Sequence, residues 1–296
     1  MALDNLPVLF YNIIYFIMGK CVKMKDKISL AGDLGSGKST VAQILIDRLG
    51  AEYYSTGAIV RSIAAKRKMS VVELNQYMET HPEIDREIDD GLKELSRLDK
   101  LLVIDSRMAW HFTDGTFKVY LSTDAETSAL RIMNANRVGE HSASLEETIK
   151  DTYARRNSER KRYFEQYGVN IKDLNNYSLI VDTTVATPEE IASLIIDSFK
   201  KWQQDKSFKA LYLSPERINY PCDAPNEELL SDYTALLEGG GELPNIDIYE
   251  EDCEFYLLSS LECALAYSLS ERRFIPCRLT KAEIDKKSYV KMKNSL

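Results

Sequence analysis

The hydrophobic positions of the chain form short continuous runs, separated by longer stretches in which they recur every three or four residues. These runs lie at residues 28–31, 101–104, 117–121 and 179–181, and they are apolar except at Ser29 and Lys118. Such runs are typical of strands that are buried on both faces of a parallel sheet. The three-to-four period between them, clearest at residues 84–99, predicts amphipathic helices. Strands that alternate with helices predict an α/β fold, a three-layer arrangement with helices on both faces of the sheet.

This alternating pattern predicts one α/β domain over residues 25–204. A polar segment at residues 203–206 then interrupts it. Residues 207–296 have shorter apolar runs, three consecutive glycines at 239–241 and several prolines. We expect them to form a second, small α+β domain.

Residues 1–24 are expected to be an N-terminal extension outside the fold. Their apolar run, at residues 6–18, is shorter than the roughly 20 residues that a membrane span needs. Lysines follow this run, whereas a signal peptide carries its positive charge in front. We therefore expect a cytoplasmic protein with no membrane partner.

Charge and cysteine content narrow the classes of function. The net charge of −8 argues against nucleic acid as the main partner. The five cysteines include no C-x-x-C pair, and their odd number indicates free thiols in a reducing compartment. The three histidines are scattered, so a metal cluster built from protein side chains is not expected.

Residues 27–40 read K-I-S-L-A-G-D-L-G-S-G-K-S-T. Gly32, followed after four residues by Gly37-Lys38-Ser39, matches the phosphate-binding loop that joins a strand to a helix. Glycines allow backbone N–H groups to turn towards phosphate oxygens, and the helix directs its N-terminal donors at the same anion. Lys38 supplies charge for the β- and γ-phosphates, and Ser39 a hydroxyl for Mg²⁺. The pattern predicts a P-loop NTPase fold that uses ATP and Mg²⁺. The predicted nucleotide-binding residues of the loop are Gly32, Gly35, Ser36, Gly37, Lys38, Ser39 and Thr40.

A second set of groups that could bind anions follows the predicted strands. Thr56, Arg61 and Arg107 come from loops at the edge of the sheet where ligands bind in open α/β folds. Further arginines are Arg131, Arg137, Arg155, Arg156, Arg160 and Arg162. Arginines at this edge suit phosphoryl transfer between two bound phosphates, although acidic neighbours such as Glu165 indicate that about half of them are structural. Asp105 closes a buried strand and either binds the metal or caps a loop.

Several pieces of the sequence together resemble the cytidylate kinases, in particular their archaeal-type branch. The matching pieces lie at residues 32–40, 55–61, 69–71, 81–85, 103–107, 155–163, 167–170 and 177–184. The segments H-P-E-I-D and Y-G-V-N are more specific than the P-loop. The resemblance covers about residues 27–204 and implies that ATP phosphorylates CMP or dCMP to give CDP or dCDP.

The resemblance also implies roles for single residues. Thr56, Arg61 and Arg107 match positions that hold the phosphate of the acceptor. Glu159 matches the acid that reads the cytosine amino group, which is a sound pairing because a carboxylate accepts from an N–H₂ donor. The residues expected to act in catalysis are Lys38, Arg131, Arg155 and Arg162. Arg137 is expected to bind the donor nucleotide, and Ser39 and Asp105 the metal.

The C-terminal part resembles the ParB/sulfiredoxin-like fold more faintly. Active members carry Gly-x-x-Arg after a strand, and here Ser259-Ser260-Leu261-Glu262 stands in its place. This implies an accessory module that has lost nucleotide chemistry and has a protein partner. Two alternatives to a cytidylate kinase stay open: a kinase of another small-molecule acceptor, and a nucleotide-sensing module with the C-terminal domain as its output.

Overall fold

The fold is built on one mixed β-sheet in the computed structural model, which describes residues 26–135 and 144–291. The strands of the described residues are β1 (Lys27–Gly32), β2 (Glu52–Ser55), β3 (Leu102–Asp105), β4 (Thr116–Ser122), β5 (Leu179–Asp182), β6 (Ala210–Leu213), β7 (Ile218–Pro221), β8 (Ile246–Glu251), β9 (Glu254–Leu257), β10 (Ile275–Leu279) and β11 (Tyr289–Lys291). They are ordered β11-β7-β9-β8-β10-β6-β5-β4-β1-β3-β2 across the sheet.

Helices cover both faces of this sheet. Those of the described residues are α1 (Lys38–Leu49), α2 (Thr56–Arg67), α3 (Val71–Met78), α4 (Pro82–Leu95), α5 (Ala109–Phe112), α6 (Ala125–Asn134), α7 (Leu145–Tyr167), α8 (Pro188–Gln204), α9 (Glu227–Glu238) and α10 (Leu261–Leu269). Residues 136–143, between α6 and α7, lie outside the described residues.

The first five strands form a parallel sheet, and four of them, β1, β3, β4 and β5, lie at the hydrophobic runs of the sequence. β2, β3, β1, β4 and β5 are parallel to their neighbours throughout. Successive side chains of a strand enter cores on opposite faces: Val103 packs with residues of α1 and α8, whereas Ile104 packs with residues of α4 and α5. Burial on both faces explains why the interior strands β1, β3, β4 and β5 are largely apolar, whereas the edge strand β2, with the sequence E-Y-Y-S, is largely exposed. The predicted α/β class is confirmed.

The C-terminal part continues the same sheet. β6 pairs in parallel with β5, so backbone hydrogen bonds connect residues 25–204 with the C-terminal residues. The core on the α4 side also combines the two parts, since Tyr177 and Ile180 share it with Leu213 and Ile275. The division into two domains near residue 204 stays a prediction.

Helix starts follow the local sequence. Ser70 caps α3 in a capping box with Glu73, and Thr187 caps α8 in the same way with Glu190. Each box satisfies helix N–H groups that would otherwise lack a partner. Each box consists of two residues three positions apart, so the start of each helix is encoded locally in the sequence.

No helix of the described ranges, 26–135 and 144–291, is both long and apolar enough to cross a membrane. The predicted N-terminal extension, residues 1–24, lies outside those ranges.

The packing of α8 against β4 leads to a prediction about the stability of the fold. Phe199 of α8 is 4% exposed and contacts Phe117 of β4, with ring centroids 5.8 Å apart. We expect Phe199→Ala to lower the free energy of unfolding by about 3–5 kcal/mol, because it leaves a cavity in the core. Urea unfolding measures the change. The control is Phe164→Ala, a 60% exposed site where we expect at most about 0.5 kcal/mol. Equal losses in both variants would contradict this packing.

Candidate active site

The P-loop lies so close to neighbouring backbone that side chains are excluded at two positions. A Cβ at Gly32, where φ is 145°, would lie 2.3 Å from the carbonyl oxygen of Leu121. A Cβ at Gly35 would lie 2.5 Å from the carbonyl oxygen of Ser128. Gly37 precedes α1 in the left-handed conformation, with φ of 79°. The first N–H groups of α1 have no carbonyl partner within the helix and are therefore suited to bind an anion beside the loop.

Lys38, the first residue of α1, lies across the loop. Its Nζ donates to the carbonyl oxygens of Asp33, at 2.6 Å, and Gly32, at 3.2 Å. Burial, together with the charge of Arg107, lowers the pKa of Lys38 to about 8. An anion bound next to Lys38 would favour its charged form. Its predicted role in binding phosphate stays a prediction, and the position of Lys38 across the loop is compatible with it.

Asp33 lies in the P-loop at a position that the sequence pattern leaves unspecified. Its side chain connects the loop to residues that are distant in the chain. This buried carboxylate accepts from the hydroxyl of Tyr120 at 2.9 Å and from the backbone N–H of Thr123 at 3.2 Å. Arg156 lies 3.2 Å from Asp33, and Lys172 also pairs with it. Although burial opposes its charge, Lys172 and Arg156 hold the pKa of Asp33 well below its usual range. Sequence reasoning did not assign Asp33, because its partners are distant in the chain.

Most of the predicted site residues line a single cleft at the carboxyl edge of the parallel strands. Those in the cleft are Gly35, Gly37, Lys38, Ser39, Thr56, Arg61, Asp105, Arg107, Arg155, Glu159 and Arg162. Gly32, Ser36, Thr40 and Arg131 lie outside its lining, and Arg137 lies outside the described residues. Three strand ends and α7 thus converge here, as the parallel topology requires.

Glu159 of α7 holds two of these arginines. Its Oε2 lies 2.7 Å from Nε of Arg107, and its Oε1 accepts from Nε of Arg155 at 3.2 Å. The carboxylate is 4% exposed. Burial opposes the charge of Glu159, but Arg107 and then Arg155 lower its pKa. Glu159 therefore stays ionised and keeps the two guanidinium groups in the cleft.

Arg162, one turn further along α7, is held by α3 and α4. Its Nε lies 2.8 Å from Oδ2 of Asp85, and its Nη1 donates to the carbonyl oxygen of Asn75 at 3.2 Å. All three side chains are buried. Sequence reasoning assigned no role to Asn75 or Asp85. Asp85 belongs to the H-P-E-I-D segment, so a sequence motif pointed to it. Asn75, inside α3, belongs to no motif that the sequence analysis identified.

Thr56 and Asp105 lie together at the ends of β2 and β3. The hydroxyl of Thr56 donates to the carbonyl oxygen of Asp105 at 3.5 Å, and Oδ2 of Asp105 accepts from the hydroxyl of Tyr53 at 3.1 Å. The N-cap of α2 is Ser55, whose side chain accepts from the backbone N–H of Ala58. The hydroxyl of Thr56 therefore does not serve as the cap of this helix.

Arg131 of α6 lies on the other side of the P-loop. Its Nη2 donates to the carbonyl oxygens of Thr183, at 2.7 Å, and Thr184, at 3.3 Å. Its Nη1 reaches the carbonyl oxygen of Gly35 at 3.5 Å. Arg131 therefore connects the P-loop with the turn after β5.

Comparison with known proteins identifies the relatives of this chain. A family model described as "AAA domain" matches residues 28–150. The cytidylate kinase of Thermoplasma volcanium is 35% identical over 175 residues, which cover 58% of this chain and 90% of that protein. The cytidylate kinase of Archaeoglobus fulgidus is 34% identical over 171 residues, covering 57% and 92%. Among solved structures, shikimate kinase from Bacteroides thetaiotaomicron matches 59% of this chain and 98% of its own, with 14% identity and a TM-score of 0.41.

The two curated relatives align over nearly their whole length with this chain, at more than 30% identity. The resemblance drawn from the H-P-E-I-D and Y-G-V-N segments is thereby confirmed. The chain belongs to the cytidylate kinase family.

Proposed function

We propose that this protein is a kinase that transfers the γ-phosphoryl group of ATP to a nucleoside monophosphate, with CMP or dCMP as the acceptor. The bond between the γ-phosphorus and the oxygen bridging to ADP breaks. A phosphate oxygen of the acceptor forms the new bond to the γ-phosphorus. The products are ADP and CDP or dCDP.

The observation that carries this proposal is the convergence of two phosphate-binding groups in one cleft. The first group consists of Lys38 and the N-terminus of α1, and the second consists of Arg107, Arg155 and Arg162. All four of these side chains line the cleft. A phosphoryl group that moves between two nucleotides needs positive charge on both sides of its path. A site that only bound ATP would not need the second group.

The donor side fits ATP and Mg²⁺ in its chemistry. Gly37 opens the start of α1 towards the cleft, since among the described residues nothing lies within 4 Å of a Cβ built there. The hydroxyl of Ser39 and the carboxylate of Asp105 both line the cleft and are oxygen ligands of the kind that Mg²⁺ takes. When bound, the metal would neutralise charge on the β- and γ-phosphates. We propose that Ser39 and Asp105 hold it.

The protein residues bind the two nucleotides, orient their phosphates and neutralise the charge of these phosphates. Lys38 binds the donor phosphates. Thr56, Arg61 and Arg107 bind the acceptor phosphate, and Arg155 and Arg162 stabilise the charge of the migrating group. Held by buried carboxylates, Arg107 and Arg162 are oriented before the substrates bind, which reduces the reorganisation needed during the reaction.

The base preference is the finer part of the proposal. The cleft has an apolar part to its lining, formed by Val60, Val71, Met78 and Ile88, that suits a planar base. We propose that Glu159 accepts from the cytosine amino group as well as holding the arginines. The cytoplasmic location, the ParB-like character of the C-terminal part and its protein partner stay predictions.

The test is a panel of acceptors. Initial rates of ADP release are measured with ATP, Mg²⁺ and each of CMP, dCMP, UMP, AMP and GMP. We expect CMP or dCMP to be phosphorylated clearly fastest. Equal rates with all bases would contradict the cytosine preference. ATP binding without phosphorylation of any monophosphate would overturn the proposed function in favour of another acceptor or a sensor.

Lys38→Ala removes the charge on the donor side. We expect kcat to fall by roughly 10²–10³-fold, since one preorganised charged group is lost from the transition state. The fold should be unchanged, because the hydrogen bonds of Lys38 go to the loop that precedes it. Lys200→Ala, at an exposed helix position, is the control and should retain wild-type kcat. Retained turnover in Lys38→Ala would contradict the assignment of the donor site.

Glu159→Gln tests base reading. We expect the preference for CMP over UMP to fall roughly tenfold or more, the effect of weakening a hydrogen bond to a charged group. Rates with every acceptor should also fall, because Arg107 and Arg155 lose their charged partner. Glu165→Gln, an exposed acid of the same helix, is the control. A lower rate with an unchanged CMP/UMP ratio would show that Glu159 only holds the arginines.

A further inference from the structure

A buried ion pair connects the C-terminal part with the end of β5. Asp182, the last residue of that strand, is fully buried. Its Oδ2 accepts from Nε of Arg217 at 2.8 Å, and its Oδ1 accepts from the hydroxyl of Ser214 at 2.7 Å. Burial raises the pKa of Asp182, and Arg217 opposes that rise. Both partners come from the segment between β6 and β7, in the C-terminal part of the chain.

Arg217 is itself held firmly in place. It is 4% exposed, and its guanidinium lies over the ring of Phe255, 5.4 Å from the ring centroid. Its Nη2 donates to the carbonyl oxygen of Cys253 at 3.3 Å. The arginine thus ties the hairpin between β8 and β9 to the carboxylate of Asp182.

From Asp182 the contacts continue to the P-loop. Oδ1 of Asp182 accepts from the backbone N–H of Thr184 at 3.1 Å and so shapes the turn after β5. The carbonyl oxygens of Thr183 and Thr184 in this turn hold the guanidinium of Arg131. Arg131 in turn reaches the carbonyl oxygen of Gly35 in the loop. A continuous chain of polar contacts therefore joins Arg217 to the P-loop.

We propose that Arg217 is a positioning residue for the donor site, acting through Asp182, the turn at residues 183–184 and Arg131 on the P-loop. The C-terminal part thereby contributes to ATP binding, although none of its described residues lines the cleft. This inference rests on the proposed use of ATP. It does not depend on which monophosphate is the acceptor.

The test compares full-length variants. Arg217→Met removes the charge and keeps most of the side-chain length. The matched control is Arg278→Met, since Arg278 also forms a two-point ion pair in the C-terminal part, with Asp247, but is exposed and outside this chain of contacts. The dissociation constant for ATP is measured by calorimetry, and the KM values for ATP and acceptor and the thermal midpoint are measured alongside it.

We expect Arg217→Met to weaken ATP binding roughly tenfold, a typical coupling between distant groups. The KM for the acceptor should change by less than about twofold, and Arg278→Met should leave both quantities unchanged. A merely structural role would lower the thermal midpoint without changing the affinity for ATP. That result, or an equal change in both KM values, would overturn the proposal.

Two further variants keep the test decisive if Arg217→Met folds poorly. Combining Arg217→Met with Asp182→Asn removes the uncompensated buried charge and should restore the thermal midpoint. We expect ATP binding to stay weak in this double variant, and its recovery along with the midpoint would overturn the proposal.

Ser214→Ala removes one hydrogen bond to Asp182 and should also weaken ATP binding, by less than Arg217→Met does. If wild-type protein binds ATP but phosphorylates no monophosphate, the proposed function fails while the calorimetric comparison still tests Arg217.

Discussion

The rest of this structure depends on one constraint: several cations lie close together at the carboxyl ends of the parallel strands. Like charges repel strongly where water is excluded, so each buried cation needs a carboxylate partner. Glu159 holds Arg107 and Arg155, Asp85 holds Arg162, Asp33 holds Arg156 and Lys172, and Asp182 holds Arg217. Each of these carboxylates is at most 4% exposed. The cleft and its surroundings therefore contain a network of paired charges, in which carboxylates hold the arginines in place.

The sheet determines which charges meet. Parallel strands bring Asp33, Asp105 and Asp182 to one edge, because each lies at or just after the end of a strand. The long helix α7 then crosses this edge and presents Arg155, Glu159 and Arg162 from successive turns. Distances of a few ångströms between residues far apart in the chain result from these two elements. The geometry of the site is thus a property of the topology and of one helix.

The elements that could be predicted from the sequence are those whose signals are local. The apolar runs, the glycine spacing of the P-loop and the capping boxes at Ser70 and Thr187 each depend on a few adjacent residues. The ion pair of Arg162 with Asp85 joins two helices that are far apart in the chain, and no local sequence pattern predicts it. The same holds for the partners of Asp33. Continuation of the sheet through β6 was also beyond local signals, because a short apolar run does not reveal which strand it will pair with.

The pairing of β6 with β5 has a consequence for how the two parts of the chain depend on one another. Edge strands expose unpaired backbone N–H and C=O groups, which recruit other strands and promote aggregation. In this protein β5 is an interior strand, flanked by β4 and β6. Its side chains are apolar up to Asp182 and fully suited to an interior position. The C-terminal residues therefore cover β5 with β6, and separating the parts at residue 204 would leave β5 with unpaired backbone groups along one side.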